Sequence, residues 1–199
     1  MSQLGLFGGN IRDALAAWDP ALPSNPSTYY RANLPRLGLY DSASDTGHAA
    51  LATGVMTAVA IKLVAGDVIT NINFVTGATA GATITDSWAA LYGPGATAAT
   101  QLLLGQSTTT GAGALAANTV ITKPLTAAYT VTTTGIHFVG ISVTATTVPT
   151  LLGTVVAPIV VTGERALSKA AGSGLSTTAP ANLGVSAAAR EFCPYVVLT

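Results

Sequence analysis

Between Val68 and Gly163, a run of 96 residues, only Asp86 and Lys123 carry a charge. The other 14 charged residues lie at or before Asp67 or after Gly163. Charged residues usually make up about a quarter of a globular chain; here they are 8% of 199 residues, and the formal net charge is zero. Ala at 36 positions, Thr at 30 and Gly at 21 take their place. With 49% hydrophobic residues the chain has the reverse of the composition that keeps a segment disordered. It also lacks the basic stripe that displaces counterions from phosphates, which excludes a nucleic-acid binder. The length suits one compact domain that buries roughly 70% of its unfolded surface without staples. The composition implies a domain that takes its surface polarity from hydroxyl groups.

Residues 51–163 predict a β body. Val55, Thr57, Val59, Ile61 and Leu63 alternate with Met56, Ala58, Ala60 and Lys62, the period of a strand. Ala65-Gly66-Asp67 marks a turn, after which Val68, Ile72 and Phe74 share the segment with Asn71 and Asn73. Further strands are read in DSWAALYG, QLLLGQS, TVITKPL, AAYTVTTT and GIHFVGISVTA. The last places His137, Val139, Ile141 and Val143 on one face and Ile136 and Phe138 on the other. Short strands every 8 to 12 residues or so, separated by Gly, Pro and Asn, point to an antiparallel sandwich or barrel. No helical period runs through the body, which argues against βαβ units. The expected fold is all-β: a jelly-roll-like sandwich of about eight strands over residues 51–199, preceded by an extended arm at 1–50.

The two ends differ from the body. Pro20, Pro23, Pro26 and Pro35 punctuate the first 50 residues, and NIRDALAAW is the one short helix predicted there, capped by Asn10. Trp18, Tyr29, Tyr30, Leu34 and Tyr40 are too apolar for a solvated linker and are assigned to an arm that packs on its own domain or on a neighbouring subunit. At the other end ERALSKAAG is read as a two-turn helix ended by Gly172, and FCPYVVLT as a closing edge strand. The N-terminus has no basic start leading into an apolar core and a small-residue cleavage site, which argues against a secretory signal. The most apolar window, VPTLLGTVVAPIVVTG, is shorter than the roughly 20 residues of a membrane-spanning helix and holds two prolines. Cys193 has no partner for an internal disulfide and is read as a buried thiol.

Few residues offer chemistry. His48 and His137 lie far apart, and with one cysteine they make no zinc set. Gly93, Gly95 and Ala98, like Gly111, Gly113 and Ala116, match a dinucleotide fingerprint only superficially, because no acidic residue follows between Asp86 and Glu164. A carboxylate pair would have to come from Asp67, Asp86, Glu164 or the distant ends of the chain, and the first two sit where turns favour aspartate. Asp41, Ser42, Ser44 and Asp45 lack the glycine and distal glutamate of a calcium loop. No cofactor, metal or catalytic set is expected. Trp88 and Tyr92, with Phe138, are candidates for a sugar-stacking platform, against the alternative that they fill the core between the two sheets.

KLVAGDVITNINFVTGATA, DSWAALYG and GIHFVGISVTATTVPTLLG occur in that order. This succession resembles a β-sandwich module in virion proteins of phages that infect actinobacteria, over roughly Lys62 to Leu152. The resemblance implies a non-enzymatic structural protein of the virion, assembled in the host cytoplasm as a homo-oligomer, often a trimer, beside major capsid or tail proteins. One small domain with one arm suits a capsid decoration or minor capsid protein clipped onto a shell through that arm. The alternative is a minor tail protein at the tail tip that binds a host-surface glycan. A long fibre would carry repeats or a coiled coil, and the chain has neither.

Overall fold

The computed structural model describes residues 31–32, 40–41, 51–94, 100–110, 115–156, 166–184, 188–189 and 191–199. These residues contain no helix. The strands are, in chain order, β1 (Arg31–Ala32), β2 (Tyr40–Asp41), β3 (Met56–Leu63), β4 (Val68–Val75), β5 (Ala82–Pro94), β6 (Gln101–Gln106) and β7 (Val120–Thr130). They continue with β8 (Gly135–Thr147), β9 (Leu152–Val155), β10 (Ser168–Ala171), β11 (Asn182–Leu183), β12 (Ala188–Ala189), β13 (Phe192–Pro194) and β14 (Val196–Leu198).

All pairings are antiparallel. A seven-stranded sheet runs β11-β6-β5-β8-β3-β10-β12, a four-stranded sheet β1-β14-β4-β7, and a three-stranded sheet β13-β9-β2. The expected all-β sandwich is present. Its eight strands of four or more residues are not split evenly as in a jelly roll: five join the large sheet, two the four-stranded sheet and one the small sheet.

The period-two segments put their faces where the alternation predicts. Val59, Ile61 and Leu63 of β3, Ala89 and Leu91 of β5, and Val139, Ile141 and Val143 of β8 point into the sandwich. There they meet Ile69, Ile72 and Phe74 of β4, Leu125 of β7, and Val196 and Leu198 of β14. Each such aliphatic side chain contributes about 1.5–3 kcal/mol on burial. Between Asn71↔Pro124 and Ile69↔Tyr129, β7 bows away from β4. Leu125 bridges to Ser107, and Thr126 Oγ1 donates to the Gln106 carbonyl at 3.0 Å. One strand therefore ties the two large sheets together along one side.

The outer face of the large sheet is buried as well. Met56, Ala58, Trp88, Ala90, Tyr92 and Phe138 form a second core with Ala179 and Leu183. The cover is the segment 175–183, irregular until it enters β11 and fastened to the sheet by hydrogen bonds. Leu175 N donates to Gly54 O (2.8 Å) and Leu103 N to Ala181 O (3.0 Å). Thr144 Oγ1 donates to Leu175 O (2.7 Å), Gln106 Nε2 to Thr177 O (2.7 Å), and Ala179 N to Gln106 Oε1 (2.8 Å). This corrects one alternative from the sequence: Trp88, Tyr92 and Phe138 fill a core that lies under a loop and not between the two sheets.

Two other expectations change. The segment read as the helix ERALSKAAG contains β10, whose Ser168, Lys169, Ala170 and Ala171 pair with Val59, Ala58, Thr57 and Met56. Its alanines favour a helix locally, but the open edge of β3 supplies a full set of backbone partners, and tertiary pairing overrides propensity. FCPYVVLT is two strands: β13 pairs with β9, the chain passes Tyr195, and β14 enters the four-stranded sheet between β1 and β4. The helix predicted at NIRDALAAW lies outside the described residues.

Small residues make room for the second core. Ala58, Gly140 and Ala90 lie side by side across β3, β8 and β5. A Cβ on Gly140 would overlap the Met56 thioether and press on the Tyr92 ring, whereas one on Gly135 would meet open space. Gly140→Ala is therefore expected to destabilise the fold by about 1–3 kcal/mol through overpacking, and Gly135→Ala to stay within about 0.5 kcal/mol. Urea unfolding of the two variants checks the difference.

Candidate functional site: a neutral groove beside a buried lysine

The outer face of the four-stranded sheet carries a groove of about 570 Å³ formed by β4, β7 and β14. In β4 the inward side chains are Ile72 and Phe74, so strand alternation sends Asn71, Asn73 and Val75 outward. Their outward neighbours are Val120 and Thr122 on β7, and Val197 on β14 with the flanking Tyr195 and Thr199. The polar groups are cross-linked. Asn73 Nδ2 donates to Val197 O (3.1 Å), and Thr122 Oγ1 donates to Asn73 Oδ1 (2.7 Å). Asn71 Nδ2 donates to Thr199 Oγ1 (3.2 Å) and to Thr70 Oγ1 (3.0 Å). None of the described side chains lining the groove is charged. Val120 is 64% exposed, the most exposed large hydrophobic side chain among the described residues.

On the other side of β7, Lys123 points inward between Ile121 and Leu125 and is 4% exposed. Its Nζ donates to Ser87 O at 3.0 Å and to Thr110 Oγ1. Both partners are neutral, and burial pushes the ammonium down to about 8. Ser87 contributes only its carbonyl, since its own buried Oγ makes no hydrogen bond. The sequence marks Lys123 as one of the two charges between Val68 and Gly163 but gives it no place. The signal was there: in Ile121-Thr122-Lys123-Pro124-Leu125 the lysine occupies an inward position of the period-two pattern.

The residues singled out from the sequence fall elsewhere. Trp88 is fully buried and its Nε1 donates to Ser176 O at 2.6 Å. Tyr92 is fully buried, its hydroxyl lies 3.0 Å from Pro180 O and 3.4 Å from Met56 Sδ, and desolvation pushes its pKa well up. Neither ring offers a face to solvent. Among the arm residues Tyr40 lies on β2 opposite Gly153; Trp18, Tyr29, Tyr30 and Leu34 lie outside the described residues. His137 is buried on the inner face, with Nδ1 3.2 Å from Gly135 O. Desolvation lowers its pKa against smaller upward pulls from that carbonyl and from Asp67. Asp67 Oδ2 accepts from Val64 N at 2.9 Å, the local bonding expected of a turn aspartate. Asp86 is on β5 opposite Thr144, and Cys193 is buried in the sandwich core. His48, Ser42, Ser44, Asp45 and Glu164 lie outside the described residues. Among the described residues no three His, Cys, Asp or Glu side chains converge to hold a metal.

No protein-family model matches the chain, and no curated protein matches it.

The buried lysine sets a pH dependence. An unfolded lysine holds its proton up to its ordinary range near 10.5, while native Lys123 releases it above about 8. The unfolded state therefore binds more protons between these limits, and this group's contribution makes stability rise with pH across that window. Lys123→Met lacks the contribution. Urea unfolding at pH 7, 8, 9 and 10 is expected to show wild type gaining stability relative to Lys123→Met as pH rises above 8. A constant difference would mean that the lysine is not desolvated.

Proposed function

We propose that the chain is a non-enzymatic structural protein of a bacteriophage virion, a capsid decoration or minor capsid protein that works as one of many copies and attaches through its N-terminal arm. The observation that carries this reading is the chemistry of the exterior. Thr70, Thr122, Thr126 and Thr130 are exposed along β4 and β7, and Asn71 and Asn73 are half-buried beside them. A surface of hydroxyls and amides packs against neighbours with few charges to desolvate, and short side chains lose little entropy on ordering. A free domain, by contrast, is kept apart by net charge, which is zero here.

The N-terminal segment is in part built into the body. Its two described pieces join sheets of the body as strands: Arg31 and Ala32 pair with Leu198 and Val197, and Tyr40 and Asp41 with Gly153 and Leu152. These pairings are made within the chain and fasten these pieces to its own body, so attachment to a shell is assigned to the rest of residues 1–50. The order of the AGD, WAALY, GIHFVG and TTVPTL segments, which resembles actinobacteriophage virion modules, agrees with this reading.

Immunogold labelling of purified particles from a phage that encodes the chain tests it. Label spread over the head is the expected result. Label confined to the tail end would replace decoration with a minor tail role, and no label with an accessible, validated epitope would overturn the virion assignment.

A further inference from the structure

We propose that the groove between β7 and β14 is a binding site for a neutral pyranose, either a free sugar or one residue of a glycan. The inference does not depend on where in a particle the protein sits. The groove's volume of about 570 Å³ lies within the range of about 300–1,000 Å³ typical of small-ligand sites. Its described side chains are neutral, which disfavours phosphates, carboxylated ligands and nucleic acid alike.

The hydrogen-bond ladder leaves complementary groups facing out. Thr199 Oγ1 accepts from Asn71 Nδ2, so its own hydrogen remains to donate. Asn71 uses only its Nδ2 in the ladder, so its Oδ1 remains to accept. Thr122 spends its hydrogen on Asn73 Oδ1 and keeps lone pairs. A donor and two acceptors held in place by internal bonds match vicinal sugar hydroxyls, each of which both donates and accepts, without further ordering on binding. Val75, Val120, Val197 and the wall formed by Tyr195 give the apolar surface that the C–H face of a pyranose covers. Exposed Val120 at the rim would be shielded by such a ligand. A second copy of the chain fits less well, because apposing two hollows leaves a void whose lining atoms lose contacts.

The test uses the full chain, isotopically labelled, titrated by NMR with methyl α-D-mannopyranoside, methyl β-D-glucopyranoside and methyl β-D-galactopyranoside in turn. The expected result is saturable shifts with at least one sugar, centred on the Asn71 and Asn73 side-chain amides and the Val120 and Val197 backbone amides. Val120→Glu, at an exposed position, is expected to keep the dispersed spectrum of the fold and weaken that sugar's binding at least tenfold. Three sugars without saturable shifts overturn the proposal, as do shifts centred elsewhere or binding unchanged in Val120→Glu. Shifts of the same groove signals on raising protein concentration without sugar would also overturn it and assign the face to contact between copies.

Discussion

The burial of one sheet on both faces governs the rest of the structure. β5, β8 and β3 form the middle of the seven-stranded sheet, and their side chains enter the sandwich on one side and the 175–183 cover on the other. An antiparallel sheet commonly leaves one face to water. Here the second face holds Trp88, Tyr92, Met56 and Phe138, too much apolar area to leave wet. Before β11 the cover has no regular structure, so its carbonyls and amides are satisfied one at a time, by the side chains of Thr144, Gln106, Trp88 and Tyr92 and by the backbone of Gly54 and Leu103. Trp88, Tyr92 and Phe138 are committed to this core.

The same economy of charge runs from core to surface. Hydroxyls and amides can be satisfied by one or two hydrogen bonds, whereas an ion demands a partner or water. Lys123 marks the boundary of what the interior tolerates, with a carbonyl and a hydroxyl as its partners and a lowered pKa as the consequence. On the outer face of the four-stranded sheet, asparagine and threonine do the work that ion pairs do elsewhere, and they hold β14 against β4. The groove and the neutral exterior are two results of one compositional choice.

Much of the sandwich was legible in the sequence because its strands alternate cleanly. Residues 55–63 and 135–143 gave both the strands and the faces that enter the core. The second buried face was not legible, because Ala58, Ala60, Ala90, Gly140 and Ser142 read as small or polar positions of a half-exposed strand. Only three-dimensional register shows that they form a trough under the large rings. The strand at 168–171 was hidden by helix-favouring alanines, and the division of FCPYVVLT by a change of sheet at Tyr195 that no local pattern encodes. For the candidate site, the alternation of Asn71 and Asn73 with Ile72 and Phe74 was visible in advance. That β14 and β7 flank them to make a groove was not, since the three strands lie far apart in sequence. For Trp88 and Tyr92 the sequence offered a stacking platform or the core between the sheets, and no local pattern says that a distant segment, 175–183, covers the outer face of their strand.

Exchange of the Trp88 indole proton tests the doubly covered sheet most directly. In the full chain its signal is assigned by comparison with Trp18→Phe, and its loss is followed by NMR after transfer to D₂O. With Nε1 hydrogen-bonded to Ser176 O beneath the cover, the indole proton should persist as long as the slowest backbone amides of β5 and β8, because release requires the cover to open. Disappearance within the first spectrum, while those amides remain, would mean that the outer face is open to water and that the second core does not exist.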